Sequence, residues 1–447
     1  MPLYILRSGR ERGHIQGLDC AGRASNFLIL LVYEEYRKDI EPVILTASSK
    51  GEDRKENAAL MEPMLIAEGS RHRTGLTDLA VELAARSAGF TRSLPQGVHT
   101  ALATLLRTMN CYYSNLIEGH NTHPVDIERA LKGDYSIEPE MRSLQREAEA
   151  HIAVQEWIDD GGIEGRAATA GALMEIHRRF CERLPEELLR VEEPGTKQFL
   201  RVVPGALRDR HVQVGQHSPV SPGAVTRFLE RFEAVYGNLG TTDSILASAA
   251  AHHRLLWIHP FLGGNGRVAR LMSYAMLRAA LDTGGVWSIA RGLARSVADY
   301  KAQLAACDLL RRNDLDGRGN LSEEALAEFT QFFLRVCIDQ VKFMERLVAP
   351  DRLRNRILIW VEEEVRAGTL PPKSGAVLEA VLFRGELPRG DVAATLGTME
   401  RQARRVTSVL LEQEILVSES SRAPLRLAFP AKFASRWMPG LFPEVTE

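Results

Sequence analysis

The chain has 447 residues, enough for two or three domains with real cores. Its 56 basic and 58 acidic side chains leave a formal charge of −2, so no whole-protein field drives it toward nucleic acid or a membrane surface. Five cysteines without Cys-x-x-Cys or metal spacing predict a reduced, cytoplasmic protein, and no apolar run reaches the ~20 residues of a membrane span.

In chain order, residues 1–60 combine a basic, Gly-rich start, a short apolar run at 27–33 and a charged tract at 48–56. They read as a disordered N-terminal extension or as the product of an upstream start codon, outside the folded body. A helical region is expected over 61–135, with runs at 76–88 and 98–118. Ser114 and Glu118 are four apart on the second run and therefore share a face. Over 136–345 helical spacing continues at 141–158, 168–184, 225–236, 244–258 and 267–281. Turn residues at 204–219 flank a short alternating piece, 211–214, which predicts a β-hairpin. The 244–258 run is largely apolar and predicts a buried central helix, with His252 and His253 as core or supporting residues rather than metal ligands.

That helix leads into His259-Pro-Phe-Leu-Gly-Gly-Asn-Gly-Arg-Val-Ala-Arg270. Gly263, Gly264 and Gly266 leave backbone amides uncovered where a new helix begins, and such amides with the positive end of a helix dipole bind anions. Arg267 and Arg270 lie three apart on one face, and two guanidinium forks there suit phosphate oxygens. His259 stands at the loop's entry, where an imidazole can take a proton near neutral pH. The segment lacks the Gly-Lys-Ser/Thr ending of a P-loop and no strand precedes it, which excludes Walker and Rossmann sites.

Further on, 313–323 imitates a calcium loop, but Arg312 stands at the first liganding position, so a polar loop ended by Ser322 as helix N-cap is predicted instead. A connecting segment over 346–372 contains a helix at 352–366 and a Pro371-Pro372 break. Residues 373–447 show three short helices, 375–383, 389–396 and 400–412, then strand-like pieces at 415–418 and 425–429. Three helices and a hairpin predict a winged helix-turn-helix, with Arg401, Arg404 and Arg405 on its third helix available to DNA phosphates.

The segment from His259 to Arg270 resembles the signature of Fic (Fido-domain) proteins, His-x-Phe-x-Asp/Glu-Gly-Asn-Gly-Arg-x-x-Arg. The resemblance implies a mostly α-helical Fic core with a β-hairpin flap, followed by the winged helix-turn-helix appended to many members. It implies transfer of AMP from ATP to a Ser, Thr or Tyr hydroxyl of a target protein. His259 would be the base, Gly264, Asn265, Gly266 and Arg267 would hold the α- and β-phosphates, Arg270 the γ-phosphate, and Phe261 would anchor the loop. The family also implies magnesium on the phosphates, held by the acidic residue that Gly263 replaces here, so no metal ligand is assigned. Ser114-x-x-x-Glu118-Gly119 is similar to the family's inhibitory motif, in which the glutamate pairs with the second signature arginine, here Arg270. Val214, Gly215 and His217 match the flap pattern near the nucleotide, and Tyr300 matches a tyrosine near the adenine. The alternative is a catalytically impaired nucleotide-binding regulator, acting through its winged helix on DNA or a partner protein, with a homodimer as a further form of partnership.

Overall fold

The structure is a computed structural model, and it describes residues 43–45, 50–192, 198–281 and 283–442. Helices dominate because the apolar residues recur at helical spacing nearly throughout. In chain order they are α1 (Arg73–Ser93), α2 (Gln96–Ile117), α3 (Pro124–Leu131), α4 (Pro139–Asp159), α5 (Ala170–Cys181), α6 (Val225–Tyr236), α7 (Thr241–Ile258) and α8 (Asn265–Leu281). Next come α9 (Ala290–Arg295), α10 (Val297–Cys307), α11 (Glu323–Leu347) and α12 (Pro350–Ala367). The last are α13 (Ser374–Arg384), α14 (Val392–Leu396), α15 (Glu400–Glu412) and α16 (Ala431–Trp437). No helix among the described residues is long and apolar enough to cross a membrane.

The centre is α7 packed along α8. α7 is buried on nearly every face from Ile245 to Ile258, which its Ala-rich sequence permits, because small side chains let neighbours approach from all sides. α1, α6 and α11 surround it. His252 and His253 are core residues. His252 joins Ser273 (2.8 Å) to Tyr300 (2.6 Å), and His253 meets Asp308 at 2.9 Å.

Strands are short and pair in twos. β2 (Arg190–Glu192) is antiparallel to β3 (Phe199–Arg201), and β5 (Leu416–Val417) to β6 (Arg426–Leu427). The strand predicted at 211–214 forms as β4 (Val212–Val214), but its partner is β1 (Val43–Leu45), not a later strand. β4 runs directly into a tight turn, in which Val214 and His217 exchange two backbone hydrogen bonds of 2.9 Å around Gly215, whose φ is +55°.

This pairing corrects the reading of residues 1–60 as a detached extension. Residues 1–42 lie outside the described residues. Residues 50–60, however, are stitched to the body: Gly51 N donates to Asp209 O (2.9 Å), and Gly223 N to Glu52 O (2.8 Å). Asp53 accepts from Arg227, and Glu56 accepts from the amide and hydroxyl of Ser221. The charges that made the tract look solvated are partners for Arg227, Ser221 and His211.

The loop at 313–323 is organised as an N-cap. Asp316 accepts from the Ser322 hydroxyl and the Glu324 amide, and Ser322 in turn accepts from the Ala325 amide at the start of α11.

Beyond α12, helices α13 to α15 pack in succession, and β6 lies against both α13 and α2. Leu387 bridges to Leu425 at the edge of the β5–β6 pair. α16 returns to α12, where Trp437 meets Trp360 edge to face at 5.1 Å. The first turn of α2 is pressed onto this region: a Cβ at Gly97 would lie 1.9 Å from the Gly385 carbonyl oxygen, so only glycine fits.

Candidate active site

α7 ends at His259, which adopts left-handed backbone angles (φ 49°, ψ 62°) and turns the chain sharply into the glycine loop. A non-glycine residue rarely takes those angles without a local reason. The reason here is the anchoring of its carbonyl. Arg208 Nε donates to His259 O at 2.7 Å, and Arg208 N donates to Pro260 O at 2.9 Å. The Leu256 carbonyl beside the ring favours its protonated form. Nε2 is buried and has no partner among the described residues. Burial, with Arg208 and His217 nearby, outweighs this and lowers the imidazole to about 3. His259 is therefore neutral at physiological pH, with Nε2 unpartnered.

The loop after it closes on itself. Asn265 Oδ1 accepts from Phe261 N (3.0 Å) and its Nδ2 donates to Phe261 O (2.9 Å). Asn265 thus shapes the loop with both ends of its amide, whereas the motif alone aims it at phosphate. Phe261 is fully buried and stacks on His177 at 4.0 Å, with the rings within 3° of parallel. His177 accepts from Gly205 N at Nδ1 (2.9 Å), which leaves Nε2–H to donate to Gly263 O (3.1 Å). His177 is a supporting residue that the sequence did not reveal, because its partners lie 28 and 86 positions away.

Gly264 has φ +79°, the left-handed turn that lets α8 begin at Asn265. Over that N-terminus lies Glu118. A Cβ on Gly266 would sit 2.3 Å from Glu118 Oε1, so glycine is what admits the carboxylate. Glu118 follows the last residue of α2 and caps it. It accepts from Arg270 Nη2 at 2.5 Å, while Ser114 engages the same guanidinium through its hydroxyl (2.8 Å) and carbonyl (3.1 Å). Burial alone would raise the Glu118 carboxyl, but Arg270 and then Arg267 overcome this and hold it at about 2. The carboxylate occupies the place an anion would take at a helix N-terminus.

Arg267 is also taken. Its guanidinium is paired with Glu147 of α4, which is 2% exposed, and it sits over the Phe180 ring at 5.5 Å. The other Glu147 oxygen meets His120 Nδ1 at 2.6 Å. No sequence signal marked Glu147, since nothing local ties α4 to the signature.

Position 263 faces apolar side chains. A Cβ there would stand 3.2 Å from Val202 Cγ2 and 3.7 Å from Val191 Cγ2, against the β2–β3 hairpin. Two valines line the direction in which the family's acidic residue would project. Glycine at 263 supplies no side-chain oxygen, and the neighbouring Glu118 and Glu147 are committed to Arg270 and Arg267, so the residues present offer magnesium no free carboxylate at the loop.

Of the remaining expected residues, Val214, Gly215 and His217 lie in the turn after β4, and His217 Nε2 donates to Trp257 O at 2.8 Å, two residues before His259. Tyr300, expected near the adenine, packs behind Arg270. It is 3% exposed, its hydroxyl is bonded to His252, and it feels both Arg270 and Glu118, so it backs the arginine from the core.

Residues 168–277, which span α5 to the body of α8, match the family model of the Fic/DOC family. It is 24% identical over 197 residues to the protein adenylyltransferase Fic of Drosophila erecta, an alignment covering 42% of this chain and 37% of that protein. The corresponding protein of Drosophila grimshawi is 25% identical over 197 residues, covering 42% and 38%. The chain thus spans less than two fifths of the length of these curated relatives. Among solved structures, a Fic family protein from Desulfovibrio desulfuricans G20 is 18% identical with a TM-score of 0.46, over 81% of this chain and 98% of that one. Fic-1 from C. elegans is 17% identical with a TM-score of 0.43, over 60% and 70%.

Proposed function

We propose that this chain is a self-inhibited protein adenylyltransferase, transferring AMP from ATP to a hydroxyl side chain of a target protein. The observation that carries the reading is the pairing of an unpartnered, neutral His259 Nε2 with an anion cradle at the start of α8 that a glutamate now fills. With Glu118 displaced, Arg270 and the amides of the Gly264–Gly266 turn face the phosphates, with Arg267, still paired to Glu147, beside them. His259 Nε2 accepts the proton of the target hydroxyl as its oxygen bonds to the α-phosphorus. The bond from that phosphorus to the bridging oxygen breaks, and pyrophosphate leaves. Arg208, donating to the His259 carbonyl, holds the residue's backbone for that transfer. The relatives named protein adenylyltransferase support the reaction class.

Residues 374–429 are read as a winged helix-turn-helix, supported by the succession α13 to α15 and the β5–β6 pair beside them. Arg401, Arg404 and Arg405 are exposed on α15, although Arg404 already pairs with Glu400 at 2.9 Å. The second reading, a nucleotide-binding regulator without transfer, is favoured by Gly263, which supplies no side-chain oxygen and faces two valines.

Intact mass spectrometry of the full chain with ATP and a protein hydroxyl acceptor tests the proposal. An AMP adduct on Glu118→Gly protein or its acceptor, absent from the Glu118→Gly/His259→Ala double variant, is expected. ATP binding by Glu118→Gly with no adduct under any condition selects the regulator.

A further inference from the structure

We infer that this site binds the nucleotide phosphates with fixed protein charge alone and gives a divalent cation no ligand, so that ATP binding by the unbraked site is independent of magnesium. The inference rests on the reading of the cradle as an ATP site. Magnesium in phosphoryl sites is held by one or two carboxylates together with phosphate oxygens and water. Most oxygens of this loop already accept a hydrogen bond. Position 263 has no side chain, and a Cβ there would meet Val202 tightly and Val191 at ordinary contact distance. The Asn265 side-chain oxygen accepts from Phe261 N. The carbonyls of His259, Pro260, Phe261, Gly263 and Gly264 already accept from Arg208 Nε, Arg208 N, Asn265 Nδ2, His177 Nε2 and Val268 N.

The two nearby carboxylates fare no better. Glu147 commits one oxygen to Arg267 and the other to His120, buried between them. Glu118 stands where the phosphates go, so it leaves as they arrive. What remains is positive: the Arg270 guanidinium that Glu118 releases and a helix N-terminus carrying about half a charge, while Arg267 stays paired with Glu147. Gly263 is therefore part of a changed wall rather than an isolated loss. Its missing carboxylate and the apolar valines opposite are consistent with each other.

Calorimetric titration of ATP into full-length Glu118→Gly protein, once in excess chelator and once in millimolar magnesium, decides the matter. Dissociation constants within about twofold of each other support the inference, and tightening by about tenfold or more in magnesium overturns it while leaving the transferase reading intact. Absence of ATP binding under both conditions overturns the inference and the proposed function together. The variant Glu118→Gly/Gly263→Asp/Val202→Ala rebuilds a carboxylate with room to stand. It should gain a magnesium dependence of about tenfold. If it binds ATP without responding to magnesium while the parent does respond, the valine wall is not what governs the ion and the inference fails.

Discussion

At the scale of single residues the site is a set of charges cancelled in pairs. Arg270 faces Glu118 and Arg267 faces Glu147, so the cradle is electrically satisfied without a ligand. Glu118→Gly should tighten ATP binding by about tenfold or more, since it uncovers a guanidinium held in a largely desolvated place; calorimetry measures it. Acidity will not substitute for that substitution. The Glu118 carboxyl is held at about 2, below its ordinary value, so the ion pair is complete above the ordinary carboxylate range and is lost only as pH falls toward 2. Suppression of ATP binding in the unmodified protein should therefore be flat from about pH 5 to 9. Asn265→Ala removes two hydrogen bonds to the Phe261 backbone and leaves buried groups unsatisfied. A loss of about 2–4 kcal/mol in stability is expected by denaturant titration, with the loop loosened rather than a phosphate contact deleted.

At the scale of elements, local pattern was legible and distant pairing was not. The helices from α1 to α8 follow their apolar periodicity, and the break at His259 and the start at Asn265 follow the glycines and proline. Ser114 and Glu118 could be placed on one face from spacing alone, and the structure aims both at Arg270. Glu147, His120 and His177 stayed hidden, because their roles depend on how α4 and α5 dock against the signature and no periodicity encodes docking. The segment 50–60 is deceptive for a related reason: its charges look solvated until Arg227 and Ser221, some 165 positions later, are brought beside them. Truncation before residue 61 should consequently lower Tm more than truncation before residue 50, because it removes the Asp53–Arg227 and Glu56–Ser221 contacts. Gly97→Val should destabilise by about 2 kcal/mol or more, or push α2 off the Gly385 backbone, read as a lower Tm and faster proteolysis after α12.

Across the whole molecule, buried neutral histidines make the fold sensitive to acid. His151, His252 and His259 are lowered to about 3, and His177 and His253 to about 4, in each case chiefly by burial. An unfolded histidine takes up its proton near pH 6.5, so between that value and about 4 the unfolded chain binds more protons than the native one. Stability should fall steadily as pH drops through that window, by about 1.4 kcal/mol per pH unit for each such group, and thermal melts from pH 7 to 5 would show it. The long helix α2 carries Glu118 just past its end. Its 22 residues span about 33 Å, with Gly97 pressed on Gly385 at the head and Tyr113 bonded to the Leu441 carbonyl further along. Glu118 N, Gly119 N and His120 N close the last turn onto Asn115 and Leu116. Fraying that turn breaks these three backbone hydrogen bonds, each worth about 1 kcal/mol net, together with the Glu118–Arg270 pair, and leaves the anchored head in place. Under the proposed function, releasing Glu118 is therefore a matter of unwinding one turn rather than swinging a domain.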